Sequence, residues 1–259
     1  MPGTGDFAYV QARLQARHGQ RPDLATWSRL EGAIDVPGLI HLARSTSLAP
    51  WVDSLRGASG VHSLERTLRH VWLNYIDAVA GWSPRAWRSA VRWTGALTVL
   101  PGLRHTLAGG DAPDWLREDP DLAPVADPLG PATPGRFKNL PFPALMNATS
   151  DVSLPQVWQD IWQSLWAPCS GRATRELLKL TGLVEGHTAE LAIVDAAASS
   201  ADSLNRLERG FCRIFRRGAQ TPAAIFCHLG LCALDLQRLR GNLVTRALFP
   251  AQPDLHQWQ

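Results

Sequence analysis

Thiol and imidazole groups that could bind a soft metal ion stand close together at Cys227, His228 and Cys232. On a helix, His228 and Cys232 share a face, whereas the side chain of Cys227 points about 100° away from that of His228. These three groups therefore do not converge on one point. We expect two small thiols in an apolar helix with a histidine at its edge, and neither a metal nor a cofactor.

His187 is the second candidate, because it follows Glu185 and precedes Glu190 and could act as a general base beside carboxylates. The same residues fit a loop and a helix N-terminus, where the helix dipole favours acidic side chains. No glycine-rich phosphate loop, paired-histidine metalloprotease motif or paired-cysteine motif accompanies either histidine. We expect no catalytic residues. A helical enzyme or cofactor-binding protein that uses His187 or His228 with the cysteines is the alternative.

Arginine side chains form two groups that could bind a partner, because a guanidinium group can hold a carboxylate through two parallel hydrogen bonds. A further charged cluster interrupts the apolar pattern near the end of the chain. We predict that the partner-binding residues are Arg85, Arg88, Arg92, Arg213, Arg216, Arg217, Asp235 and Arg240.

Trp82, Trp87 and Trp93 flank the first arginine group, and arginine mixed with aromatic residues is typical of surfaces that bind single-stranded nucleic acid. However, Trp87 and Trp93 fall on the apolar face of the predicted helix, which indicates packing inside the protein. An acidic protein partner, or a solvated face, is therefore favoured over nucleic acid.

The elements that carry these residues all have helical periodicity, and no segment alternates with a period of two. The sequence predicts long helices over residues 63–80, 83–100 and 221–249, and shorter ones over residues 175–180 and 188–198. A further helix begins at Asp202 or Ser203 as its cap and ends at Gly218, and its inner face is predicted to consist of Leu204, Leu207, Phe211, Ile214 and Phe215. Eight prolines between residues 109 and 144 exclude a long helix or a central strand there. We predict an all-α protein with a helical module at 1–108, a linker or long loop at 109–150, and a second helical module at 151–259.

The length and composition of the chain predict a protein with its own hydrophobic core, since 45% of the 259 residues are hydrophobic. The four cysteines have neither disulfide density nor zinc spacing, so we expect reduced thiols in the cytoplasm. We expect no signal peptide, and no run of apolar residues is long enough to span a membrane.

Three segments resemble one protein family. Residues 7–14 (FAYVQARL) have an aromatic pair followed by a small residue and an arginine. Residues 35–48 pair a short helix with a hydroxyl-bearing turn at Ser45 and Thr46, and residues 235–240 (DLQRLR) place an acid before leucine and arginine. Together they are similar to the opening, second and closing helices of the central-axis subunit of V-type and A-type rotary ATPases.

The resemblance implies a shortened and diverged member of that family, built as an all-helical funnel or two-lobed bundle without catalysis of its own. Its wide end would rest on the membrane rotor ring, and its cavity would receive the tip of the central shaft. The implied partners are therefore the shaft subunits and the rotor ring, and the implied location is the cytoplasmic face of a membrane complex.

Overall fold

The structure is a computed structural model, and it describes residues 4–55, 60–127, 132–146, 154–193 and 200–250. Helices dominate these residues and no strand occurs among them, which confirms the predicted all-α class. Short 3-10 turns connect several of the helices. The α-helices are α1 (Thr4–Gly19), α2 (Leu24–Glu31), α3 (Val36–Arg44), α4 (Ala49–Val52), α5 (Val61–Trp82), α6 (Arg88–Trp93), α7 (Leu100–Leu107), α8 (Asp114–Arg117), α9 (Phe142–Met146), α10 (Leu154–Ser164), α11 (Gly171–Ile193), α12 (Ser200–Arg217) and α13 (Pro222–Leu248).

Local capping explains where the early helices begin and end. Asp35 precedes α3, and its carboxylate accepts a hydrogen bond of 2.8 Å from the backbone N–H of Gly38. At the other end, the hydroxyl of Ser45 donates to the carbonyl of Leu42, and that of Thr46 donates to the carbonyl of Ala43. The short helix and hydroxyl-bearing turn expected for residues 35–48 are therefore confirmed.

One continuous helix over residues 83–100 is wrong. The segment contains a 3-10 turn at Arg85–Trp87, the short helix α6, and a second 3-10 turn at Thr94–Thr98. Gly95 lies in the second turn and lets the side chain of Leu73 approach closely, because a Cβ atom there would lie 2.9 Å from a methyl group of Leu73. Pro101 then lies in the first turn of α7, where a missing N–H costs nothing.

The two separate helices predicted around Gly182 and Gly186 are also wrong over the described residues. α11 runs without a break from Gly171 to Ile193, and residues 194–198 of the second predicted helix lie outside the described part of the chain. A glycine inside a helix costs about 1 kcal/mol relative to alanine. Burial of Leu177 and Leu180 on the same helix offsets that cost.

The chain divides into two compact units. The first comprises Met1–Val10, Trp72–Thr174 and Gln220–Pro222, and the second comprises Gln11–Val71, Arg175–Ala219 and Ala223–Gln259. The predicted division at residues 1–108, 109–150 and 151–259 stays a prediction. Within the proline-rich stretch, the described part supplies Phe137, Phe142 and Leu145 as buried side chains.

Aromatic side chains hold the first unit together. The indole N–H of Trp93 donates to the carbonyl of Trp158 at 2.9 Å, and the indole N–H of Trp158 donates to the carbonyl of Trp93 at 3.2 Å. The Trp158 and Trp162 rings stack with centroids 5.8 Å apart. Because Trp87 and Trp93 are both fully buried, the prediction that they pack inside is confirmed.

The second unit is organised around α13. Seven consecutive residues near its start, 223–229, are buried, as expected of a helix that is apolar on every side. α12 approaches it closely, because a Cβ atom on Gly230 would lie 2.7 Å from the ring of Phe211. Four of the five side chains predicted for the inner face of α12 are buried, namely Leu207, Phe211, Ile214 and Phe215, whereas Leu204 is partly exposed.

No helix in the described part of the chain is both long enough and apolar enough to cross a membrane.

Candidate partner-binding surface

The first arginine group is mostly engaged within the first unit. The Nε atom of Arg92 lies 3.3 Å from a carboxylate oxygen of Asp77, and Arg136 contacts the other oxygen of the same carboxylate. Arg88 donates to the backbone carbonyls of Ser83 and Gly81. These bonds leave only part of the group's hydrogen-bonding capacity for a partner.

Arg85 differs from its neighbours in this group. It is exposed and makes no side-chain hydrogen bond or ion pair with any described residue. The predicted three-arginine surface therefore reduces to one uncommitted cation beside two that are bonded internally.

The second arginine group lies along the outer face of α12. Arg213, Arg216 and Arg217 are all exposed, and they line an open cleft of about 560 Å³ together with Glu208, Arg209 and Cys212. All of the described lining residues belong to α12. The structure thus brings the three predicted arginines to one surface and adds Arg209, which sequence reasoning left out of the group.

Three arginines of this surface have no acidic partner among the residues that the structure describes. Arg209 and Arg216 each donate from Nε to the carbonyl four residues earlier, Asn205 and Cys212 respectively. Neither these two nor Arg213 forms an ion pair within the described part of the chain. Their charge therefore meets solvent or a partner.

Asp235 lies inside the second unit. Arg21 holds both of its carboxylate oxygens, with N···O distances of 2.7 and 2.8 Å, and donates to Glu208 at 2.9 Å. The Arg21 and Asp235 side chains are 14% and 9% exposed, so little of either remains for a surface contact. The acid predicted to bind a partner therefore joins α13 and α12 through an internal arginine.

Burial and hydrogen bonding shift the pKa values of Arg21 and Asp235 in opposite directions. Burial raises the pKa of Asp235 above its usual value, and the hydrogen bonds from Arg21 only partly offset that effect. For Arg21, burial alone would lower the pKa, but the bonds and charges of Asp235 and Glu208 raise it. Removal of either partner would leave an uncompensated charge inside the protein.

Arg240 is also bonded internally. Its Nε and one terminal nitrogen lie 2.7 and 2.6 Å from the two carboxylate oxygens of Glu65 on α5. Because this is the two-point arrangement that favours arginine over lysine, we assign Arg240 to the joint between α13 and α5.

Two further arginines of α13 tie it to α2. Arg238 donates twice to Glu31, and its guanidinium lies 4.8 Å from the ring centre of Trp27. Arg246 donates to the backbone carbonyls of Glu31 and Ala33, which lie at the end of α2 and just beyond it, where carbonyl groups have no partner within the helix. Nothing in the local sequence pattern marks these two arginines as joints.

Cys227, His228 and Cys232 of α13 are all buried, so the histidine expected at the edge of the helix lies inside the protein instead. The Nε2 atom of His228 lies 3.5 Å from the sulfur of Cys232, as their four-residue spacing predicts. Burial, reinforced by the charges of His18, Arg17 and Arg21, lowers the pKa of His228 to about 3. No group of three or more His, Cys, Asp or Glu side chains in the described residues could hold a metal ion.

His187 contacts a hydroxyl group in the second unit. Its Nδ1 atom lies 2.8 Å from the hydroxyl oxygen of Ser203. Ser203 is buried. The pair links α11 to α12, and the side chain of Glu190 lies outside the described part of the structure.

Comparisons of this chain with protein-family models, with curated proteins and with solved structures find no match.

Proposed function

We propose that this chain is a non-catalytic subunit of a V/A-type rotary ATPase, which couples the central shaft to the membrane rotor ring. Three things support the proposal: the all-α fold, the resemblance of three sequence segments to the family, and an outer face of α12 suited to polar protein contacts. The observation that carries most weight is that all three segments contribute to the framework of the protein.

The first segment, residues 7–14, lies within α1 and contributes three buried apolar side chains: Phe7, Val10 and Leu14. The second builds the capped helix α3 and its hydroxyl-bearing turn. In the third, Asp235 accepts the two hydrogen bonds from Arg21. A framework role for each segment is what a shared fold would require, because residues that set helix ends and joints constrain the architecture.

Rigid joints between helices also suit a part that transmits torque. Along the second half of α13, Asp235, Arg238, Arg240 and Arg246 bind α2, α5 and the segments that flank α2. Each of these contacts uses a charge-assisted hydrogen bond, which adds geometric specificity to the way the helices meet.

Transmission of torque between proteins needs a contact surface instead of a chemical centre. Arg209, Arg213 and Arg216 provide exposed guanidinium groups for such a contact. The protein would therefore work by binding, on the cytoplasmic face of the membrane complex, with the membrane-embedded ring beneath it.

The test is affinity capture from the native cell. The protein would carry a tag at its N-terminus, be extracted in mild detergent, and have its co-purifying proteins identified by mass spectrometry. We expect rotor-ring and shaft subunits in fixed proportion to the bait. Recovery of the tagged protein without any ATPase subunit, while a tagged catalytic subunit of the same enzyme captures its own complex, would overturn the proposal.

A further inference from the structure

Three arginines of α12 share one stripe on its outer face. Arg209, Arg213 and Arg216 occupy positions i, i+4 and i+7, which fall within a narrow arc of the helix surface. The stripe is about 10 Å long at the usual rise per residue. Its length matches two turns of a second helix laid against it.

The stripe is unfavourable for the isolated protein. Like charges three and four residues apart on a helix repel each other and destabilise it. The nearest acid on the same helix, Glu208, already accepts a hydrogen bond from Arg21. Carboxylates supplied from outside would relieve this repulsion.

The kind of partner follows from what surrounds the stripe. The aromatic side chains of α12, Phe211 and Phe215, are buried and cannot stack on nucleic acid bases. Leu207 and Ile214 are buried too, so their face of α12 is not available for insertion into a lipid surface. Guanidinium groups at this spacing fit the carboxylates of a protein.

The helix that carries the stripe is packed closely against its neighbours. Gly210 lets the side chain of Leu183 approach α12, and the ring of Phe211 packs against Gly230 of α13. A helix held in this way keeps its arginine side chains at a constant spacing, which lowers the entropy that a partner's binding costs.

We propose that Arg209, Arg213 and Arg216 form a docking surface for an acidic helical segment of another protein, with carboxylates spaced at i, i+4 and i+7. This inference deepens the proposed function and rests on it only in taking the partner to be a protein. It also separates the two arginine groups: α12 carries the docking surface, whereas Arg88 and Arg92 serve the first unit.

A peptide experiment tests the surface without reference to any ATPase. The probe is a fluorescent helical peptide with glutamates at i, i+4 and i+7, and the control peptide has the same composition with its glutamates distributed around the helix. We expect the full-length protein to bind the patterned peptide about tenfold more tightly in fluorescence anisotropy at low salt. Equal affinity for both peptides would overturn the proposal.

The variant R209A/R213A/R216A should lose this tenfold preference. Its matched control, R29A/R66A/R104A, removes the same charge from exposed arginines at scattered positions and should retain it. If the alanine variant does not fold, the corresponding glutamine variant removes the charge and keeps a longer polar side chain. A preference that survives in a folded α12 variant would contradict the docking surface.

Two competing probes cover other partners. A single-stranded oligonucleotide and vesicles containing anionic phospholipid should bind more weakly than the patterned peptide, and loss of the three α12 arginines should change their binding no more than the control variant does. Tighter binding of either probe through those arginines would replace the protein partner with that ligand.

Capture from cells then distinguishes failure of the surface from failure of the proposed function. If wild type and the α12 variant both capture ATPase subunits, the function stands and the docking surface is wrong. If wild type captures none but the peptide preference holds, the surface stands and the ATPase assignment is wrong.

Discussion

α12 and α13 follow each other in the chain and both carry several arginines, but they use them differently. On α13, Arg238 and Arg240 bind Glu31 and Glu65 of other helices in the second unit. On α12, Arg209 and Arg213 find no acid in the described part of that unit. The difference shows that neighbouring elements, and not the helix that carries an arginine, decide whether its charge stabilises the fold or remains for a partner.

Among the substitutions that test this difference between α12 and α13, we expect replacement of Asp235 to cause the largest loss of stability. Asp235→Ala removes the carboxylate that binds Arg21 through two nitrogen atoms, so the buried guanidinium keeps Glu208 as its acidic partner. We expect the free energy of unfolding, measured with urea, to fall by about 3–5 kcal/mol. The double variant R21M/D235L should recover most of the loss, because it leaves no buried charge. A loss below about 1 kcal/mol for the single variant would show that this joint contributes little.

The next effect is a dependence on pH that arises in α13. The unfolded chain protonates His228 below about pH 6.5, whereas the folded protein does so only near pH 3. The contribution of the neutral His228 to the free energy of unfolding is therefore fully present above about pH 6.5 and is lost as the pH falls towards 3. The lowered pKa of His18 acts in the same direction, and the raised pKa of Asp235 opposes it.

His228→Leu should remove this contribution. Between the pKa of His228 in the unfolded chain and its pKa in the folded protein, each pH unit changes the free energy of unfolding by about 1.4 kcal/mol. Between about pH 7 and about pH 4.5, wild type should therefore lose on the order of 2–3 kcal/mol more than the variant. Urea midpoints at the two pH values measure the difference, and the exposed His41→Gln serves as the control. Parallel losses in wild type and H228L would contradict a neutral buried imidazole.

Two glycines of α13 test the contact between the helices. A Cβ atom on Gly230 would lie 2.7 Å from the ring of Phe211, whereas one on Gly241 would have nothing within 4 Å. Gly230→Ala should therefore lower the free energy of unfolding by about 1–3 kcal/mol. Gly241→Ala should raise it by up to about 1 kcal/mol through helix propensity. The same sign for both would show that α12 does not pack closely on α13.

The smallest expected effect belongs to α12. Arg213 makes no hydrogen bond or ion pair with any described residue, so Arg213→Ala should change the free energy of unfolding by less than about 0.5 kcal/mol. Thermal and urea unfolding both report it. A clear destabilisation would mean that this arginine already has a structural partner.

Local patterns in the sequence predict local structure here. Helical periodicity identifies α5 and α13 and the buried face of α12, and Asp35 and Pro222 mark helix starts because their chemistry acts within one turn. The apolar spacing alone also predicts that Trp87 and Trp93 lie in the core, where both are found.

Sequence patterns do not predict contacts between residues that are far apart in the chain. Arg21 and Asp235 are 214 positions apart, and no periodicity links them. The acid in an apolar helix indicates that a cation must lie nearby, but it does not say which of the arginines supplies it. The same limit applies to Gly182, because only the completed packing of α11 decides whether a glycine ends the helix.

The most direct test of the division between the two helices is the urea unfolding midpoint of two triple variants. R209A/R213A/R216A removes the arginines of α12, and R238A/R240A/R246A removes those that bind α2 and α5. We predict that the α12 variant unfolds at or slightly above the wild-type midpoint, because the repulsion among its arginines is removed, and that the α13 variant loses about 2 kcal/mol or more. Equal loss in both variants would contradict the claim that α13 uses its arginines for the fold and α12 keeps its own for a partner.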